Sequence, residues 1–254
     1  MIKFFKDNFV EGANLSASTE NAQFPLVNLQ DDRRSKVYRS TGSSATVVFD
    51  LQTTEDIDSI ILAPNKIDGF NLLSPITIEA NATDSWGSPA YSTTLSSIDD
   101  VHGIAYKLLS APESYRFWRL SLSGTSYVEL AYVYIGKVTE LDNNRSISFG
   151  WGYQEDDLKN ESENVYGQKF VDEIIQRKKI QFQLNALDKD NMDKIFKIYD
   201  ERRTTKPFCL FIGDDNMINN SNRFKLVCYM NNKPRITNNF YAHYYLSINV
   251  EEAL

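Results

Sequence analysis

The sequence has few of the residues that metal centres and nucleophilic active sites use most. Cys209 and Cys228 are its only cysteines, and His102 and His243 are its only histidines. Both cysteines lie in alternating apolar runs, which favours reduced thiols in a core over a disulfide framework. Neither histidine has a His, Cys or carboxylate partner at a spacing that would build a zinc site. We therefore expect no metal site, and we expect both histidines to serve packing or the surface.

Glycine is also scarce, because only 11 of the 254 residues are glycine. None of them forms a phosphate-binding fingerprint, and no Gly-x-Ser-x-Gly nucleophile elbow is present. Carboxylates do occur in pairs, but glycoside hydrolysis would need two of them to converge on a cleft. All four pairs stand in polar, turn-like contexts: Asp31–Asp32, Asp99–Asp100, Asp156–Asp157 and Asp214–Asp215. The sequence thus predicts no enzyme, no catalytic residues and no cofactor.

Basic excess and long apolar runs are missing as well. The formal net charge is -7, from 27 Lys and Arg against 34 Asp and Glu. Phosphate neutralisation requires a surplus of cations, so nucleic-acid recognition is not expected. No segment approaches the roughly 20 apolar residues that span a bilayer, and the first residues lack a secretory signal. We expect no membrane span and synthesis in a reducing cytoplasm.

Aromatic residues are abundant, with 15 Phe and 14 Tyr, and such side chains suit half-buried strands. Short alternating runs separated by polar turns fill the first half of the chain. The run "ATVVFDL" (residues 45–51) predicts one strand and "SIILA" (59–63) the next, with "TTEDID" as their connection. Strands at this spacing without a convincing helix predict an antiparallel β-sandwich.

The pattern changes at residues 137–146, so we predict a boundary there and domains at 1–138 and 139–254. The run "KKIQFQLNAL" alternates almost perfectly, with apolar residues on one face and Gln or Asn on the other. In the segment that follows, Met192, Ile195, Phe196 and Tyr199 recur at helical spacing. This stripe predicts one amphipathic helix over about residues 189–203, with Asp188 or Asp190 as its N-cap. The second domain is therefore predicted to be a β-sandwich or barrel with one flanking α-helix.

The stretch "NLQDDRRSKVYRSTG" (residues 28–42) admits three interpretations: a solvated loop, a phosphate-binding run or part of a module. Together with "VVFDLQTTEDIDSIIL", "YRFWRLSLSG" and "VELAYVYIGK", it resembles the discoidin-like (galactose-binding-like) jelly roll over roughly residues 14–138. The resemblance implies that the stretch is a connection lying across a sandwich. Val27 and Leu29 would then point inward and Tyr38 would pack. The cations of the stretch would be balanced partly by Asp31 and Asp32.

One loop of this half could make a functional contact. In "TDSWGSPAY", Trp86 lies in a Gly/Pro loop between Asp84 and Tyr91, and a large aromatic there can stack on a sugar ring or anchor a protein interface. The alternative is that Trp86 folds back to cover the end of the sandwich. The discoidin-like resemblance favours residues 81–91 as a loop that binds glycans or proteins. Asp84, Trp86 and Tyr91 are our candidate site residues.

The second half is similar to phage tail-tube and distal-tail proteins in its order of elements, including "KPFCLFIGD" and "RFKLVCYM". That resemblance implies a structural protein of the tail tip or baseplate. Such a protein forms a ring, expected to be a hexamer, that joins the tail tube to hub or fibre proteins. It would assemble in the host cytoplasm and reside in the virion tail. Residues 155–167 would be a polar arm that joins neighbouring copies. The alternative is a carbohydrate-binding module protein that attaches to cell-surface glycan.

Overall fold

The structure is a computed structural model that describes most of the chain: residues 2–95, 103–141, 152–163, 165–166, 168–213, 224–240 and 243–254. It is mostly β, as the sequence predicts, with one α-helix in the described ranges. Nine strands precede residue 142: β1 Ile2–Asn8, β2 Asn14–Ala17, β3 Tyr38–Arg39, β4 Ser44–Ala63, β5 Leu73–Asn81, β6 Tyr91–Leu95, β7 Ala105–Ser123, β8 Glu129–Leu130 and β9 Tyr132–Glu140. The remaining elements are β10 Gly152–Glu163, β11 Lys169–Leu187, α1 Lys189–Arg202, β12 Phe208–Ile212, β13 Lys225–Met230, β14 Arg235–Phe240 and β15 His243–Glu252.

Thirteen of these strands form one antiparallel sheet that runs through both halves of the chain. Its order is β10-β11-β15-β13-β12-β1-β9-β4-β7-β5-β6, while β14 pairs with β15 and β2 pairs with β4. The first strand of the sequence, β1, lies between β9 and β12, and Phe5 is opposite both Val138 and Cys209. The two halves therefore share a sheet whose central strand comes from the N-terminus.

Among the described residues, three clusters of buried side chains line this sheet. The first belongs to the first half and surrounds Trp118 and Phe49, both fully buried. The second fills the other half around Phe182 and includes Phe4 of β1. The third lies where the halves meet, and there the ring centroids of Phe5 and Phe211 are 4.6 Å apart. Successive residues of β1 thus enter different cores, because side chains alternate between the faces of a strand.

The helix that the apolar spacing predicts is confirmed as α1. The Asp188 side chain accepts a hydrogen bond from the backbone N–H of Asn191 at 2.9 Å, so Asp188 is the N-cap. Ile195 and Ile198 are fully buried against the second core. The helix ends at Arg202, one residue before the predicted end.

The expected break between two strands at residues 52–58 is wrong, because β4 continues from Ser44 to Ala63. Its pairing with β7 shifts register between Asp50 and Glu55 and again between Ile57 and Ser59. At the first irregularity Gln52 has a φ of 67°, and its N–H donates to Asp50 Oδ1 at 2.9 Å. Bulges absorb the polar residues here, so the strand bends instead of ending.

The charged stretch at residues 28–42 lies across the first core, and the expectation for Val27, the residue just before it, is wrong. Leu29 and Tyr38 are buried, as expected, whereas Val27 is 61% exposed and does not point inward. Arg34 is also buried, which the charge pattern does not predict. Its guanidinium donates to the Pro64 carbonyl at 2.7 and 3.1 Å and to Glu252 Oε1 at 3.3 Å. The stretch is therefore a connection that ties the first half to the last strand.

Candidate functional site

The candidate loop, residues 82–90, joins β5 to β6 and is shaped by hydrogen bonds within it. The Asn81 side chain donates to the Ser85 carbonyl at 2.7 Å, and the Ser85 N–H donates to the Thr83 carbonyl at 2.7 Å. These bonds close a tight turn, as Asn side chains often do next to their own backbone. The turn directs Trp86 back over the sheet.

Trp86 is half-buried and is fixed on two sides. Its indole N–H donates to Asp84 Oδ1 at 2.6 Å, and the guanidinium carbon of Arg119 lies 4.5 Å from the ring centroid. Arg119 is fixed in turn, because its Nε donates to Glu79 Oε2 at 2.8 Å. A cation stacked on an indole face is a favourable electrostatic contact. Asp84, Trp86, Arg119 and Glu79 thus form one connected cluster, which we call the Trp86 platform.

Tyr91 lies on the opposite face of the same sheet. Ala80 of β5 is opposite both Tyr91 and Trp118, whereas the neighbouring Glu79 is opposite Arg119. The Tyr91 and Trp118 ring centroids are 6.2 Å apart, so Tyr91 packs against the first core. Burial raises the pKa of the Tyr91 phenol. The structure therefore brings Asp84 and Trp86 together and places Tyr91 apart from them.

Arg119 and Glu79 are the members of the platform that sequence reasoning missed. The alternation of "YRFWRLSLSG" does place Arg119 on the face opposite Trp118. It does not say which strand lies beside Arg119. The contact with Glu79 depends on the register of β5 against β7, which joins residues forty positions apart.

The carboxylate pairs of the sequence occupy different surroundings. Asp31 accepts hydrogen bonds from Arg33, and this partner lowers the pKa of the Asp31 carboxyl to about 2. Asp156 forms an ion pair with Lys179 at 2.5 Å, which also lowers its pKa. The pairs Asp99–Asp100 and Asp214–Asp215 lie outside the described residues, as does His102.

Metal-ligating groups do not converge in the described ranges, where no three His, Cys, Asp or Glu side chains are placed to hold an ion. Cys209 and Cys228 are buried free thiols. Burial raises the pKa of Cys209 to about 12 and that of Cys228 well above its ordinary value. No helix in the described part of the chain is long and apolar enough to cross a membrane.

A second exposed feature is the hairpin of β10 and β11. The two strands pair from Gly152 opposite Gln181 to Glu163 opposite Lys169, but β15 pairs with β11 only from Lys179 onward. The distal part of the hairpin therefore extends past the sheet. Three large apolar side chains at its end are exposed: Val165 (93%), Tyr166 (90%) and Phe170 (53%). This hairpin contains the predicted arm, of which Asn164 and Gly167 lie outside the described residues.

Comparison with known proteins gives structural neighbours only, because no family model and no curated protein matches the chain. The lectin domain of lectinolysin complexed with Lewis B antigen is 17% identical, with a TM-score of 0.45, and the match covers 52% of this chain and 98% of the neighbour. The family 32 carbohydrate-binding module of C. perfringens NanJ in complex with galactose is 12% identical, with a TM-score of 0.44, and the match covers 55% of this chain and 100% of the neighbour. A Streptococcus pneumoniae fucose-binding module is 16% identical, with a TM-score of 0.44, and the match covers 52% of this chain and 98% of the neighbour. All three are carbohydrate-binding modules of the discoidin-like type, and none is a tail protein.

Proposed function

We propose that this protein binds carbohydrate through the Trp86 platform. The observation that carries the proposal is the fixed position of the half-exposed Trp86 ring. Arg119 covers one face of the indole and Asp84 accepts a hydrogen bond from its N–H, so the partly exposed ring is held in one orientation. A rigid aromatic surface binds the apolar face of a sugar at a low cost in conformational entropy.

The polar members of the platform suit the hydroxyl groups of such a ligand. Asp84 is an exposed acceptor beside the ring, and Arg119 offers further N–H groups around its bond to Glu79. The Arg119–Glu79 ion pair is internally neutral, which favours an uncharged ligand over an anionic one. The proposal therefore names neutral glycans as the ligand class.

A glycan array tests the proposal with labelled wild-type protein, Trp86→Ala and Trp86→Phe. We expect wild-type binding to a defined set of neutral glycans, loss of at least tenfold in affinity for Trp86→Ala, and partial retention for Trp86→Phe. Ile67→Ala is the matched control, because Ile67 is a 66% exposed apolar side chain in another loop of the same half. Equal binding by Trp86→Ala and wild type would refute the role of the platform.

A second candidate function, self-assembly, rests on the projecting hairpin. In the described part of the chain, β10 pairs only with β11 and stands at the end of the sheet, so its outer edge is available to a neighbouring chain. The exposed side chains Val165, Tyr166 and Phe170 at the end of the hairpin are unusual for a monomer surface. Both features suit a structural protein that joins copies into a ring, such as a tail-tip or baseplate component in a virion.

Analytical ultracentrifugation and negative-stain imaging of the purified chain test this second function. We expect a ring or polymer for the wild type and smaller species for a variant with serine at Val165, Tyr166 and Phe170. The matched control carries serine at Val27 and Ile67, which are exposed apolar residues outside the hairpin. A wild type that stays monomeric, alone and mixed with tail-tube protein, would contradict assembly and leave the glycan proposal in place.

A further inference from the structure

The outer face of the second half carries a polar depression that none of the predicted site residues lines. We propose that it is a second carbohydrate site, which takes a neutral polyhydroxylated ligand independently of the Trp86 platform. The depression has a volume of about 290 Å³ and lies over β10, β11 and β15. Asn231 lies at its border with a neighbouring depression of about 480 Å³ over β13 and β15.

The register of the strands assembles this face. Gln181 is opposite Gly152 on one side and Asn249 on the other. One step along the same face, Lys179 is opposite both Gln154 and Glu251. The apolar residues between them, Ile180 and Val250, are buried in the second core. The polar residues that line the depression therefore include four amides: Gln154, Gln181, Asn231 and Asn249.

Two buried polar atoms on this face have no hydrogen-bond partner among the described residues. They are Asn249 Oδ1, an acceptor in the first depression, and Arg177 Nε, a donor in the second. A buried polar group without a partner is costly, so a ligand that displaces the covering side chains and reaches either atom recovers that cost. A sugar hydroxyl both donates and accepts, so adjacent hydroxyls satisfy an acceptor and a donor together.

The charges of the face select the ligand class. Arg177 pairs with Glu251, and Lys179 pairs with Asp156 at 2.5 Å. Asn231 Nδ2 also donates to Glu251, at 3.1 Å. Because both cations are paired with carboxylates, the face presents no net positive field that would favour phosphate or sulfate. Neutral glycan is therefore a better fit to this face than an anionic ligand.

Affinity electrophoresis of the full chain tests the proposal, in native gels cast with dextran, galactomannan, xyloglucan or β-glucan. We expect at least one polysaccharide to retard the protein, and Asn249→Leu to raise the apparent Kd about tenfold, as the loss of one good hydrogen bond does. Arg177→Lys is expected to act in the same direction, because lysine preserves the pairing with Glu251 and removes the Nε donor. Asn232→Leu is the matched control, since it removes an exposed amide in the adjoining turn.

The two carbohydrate sites are separated by repeating the measurement in a Trp86→Ala background. Retardation that survives Trp86→Ala and falls with Asn249→Leu supports the second site, whatever becomes of the platform. Retardation abolished by Trp86→Ala and unchanged by Asn249→Leu overturns the second site and leaves the first proposal standing. Absence of retardation by all four polysaccharides also overturns it.

Discussion

Replacing Arg34 by alanine should destabilise the protein far more than its position in a charged run implies. The side chain is 2% exposed, and its carboxylate partner Glu252 is 5% exposed. Removing the guanidinium leaves the Pro64 carbonyl without two donors and leaves Glu252 with Lys66, whose Nζ is 2.9 Å from Oε1. Breaking a buried pair costs about 3–5 kcal/mol. Since Lys66 still faces Glu252, we expect the lower end, about 3 kcal/mol.

Urea unfolding followed by tryptophan fluorescence and far-UV circular dichroism measures this difference. The matched control is Arg33→Ala, which removes the neighbouring arginine, 62% exposed and paired with Asp31 at the surface. We expect both variants to keep the wild-type dependence of the unfolding free energy on urea concentration. The urea concentration at half unfolding should be clearly lower for Arg34→Ala and near wild type for Arg33→Ala. If the two variants unfold at the same midpoint, the buried pair does not stabilise the junction between the halves and the reasoning fails.

Three further predictions concern titration and helix capping. Because burial raises the pKa of Cys209 to about 12, we expect Cys209 in the native protein to resist a thiol reagent at pH 8. After unfolding, both Cys209 and Cys228 should react. Arg116→Gln should raise the pKa of Asp50 from about 2 toward its ordinary value in an NMR titration, because the Arg116 hydrogen bond is the main cause of the shift. In the wild type this carboxylate stabilises the fold above about pH 4 and loses that contribution as pH falls toward 2. Asp188→Ala should lower the free energy of unfolding by about 1 kcal/mol, because it removes the N-cap hydrogen bond. Asp190→Ala is the control, since Asp190 lies within the first turn and is not the N-cap residue.

Local signals predicted the elements well. The helix follows from the spacing of its apolar residues and from an N-cap aspartate, both of which act within a few positions of the chain. The β-rich character follows from alternation in runs such as "KKIQFQLNAL", where Phe182 and Leu184 are buried and Gln181 and Gln183 are exposed. Boundaries failed where bulges bend a strand without ending it, as at Gln52 in β4.

The candidate site was less accessible to sequence reasoning, because it depends on register between distant strands. Trp86 and Asp84 are neighbours in one loop, and their hydrogen bond joins residues only two positions apart. Tyr91 is equally close along the chain, but its position on β6 turns it toward the core beside Trp118. Arg119 reaches Trp86 only because β7 lies next to β5. Arg34 is similar, since nothing in the charged stretch distinguishes it from the exposed Arg33 beside it.

The position of β1 has a consequence for how this molecule can be divided. A polypeptide cut after residue 138 would keep β1 but leave one edge of it without the bonds that β12 supplies. The complementary piece would expose the edge of β12 and lose Phe4 from its interior. Adding a separate peptide of residues 1–12 to a chain that starts later is therefore the sharper way to ask how the halves depend on each other. Recovery of the native circular dichroism spectrum in such a mixture would show that β1, supplied as a separate peptide, is sufficient to restore the pairing between the halves.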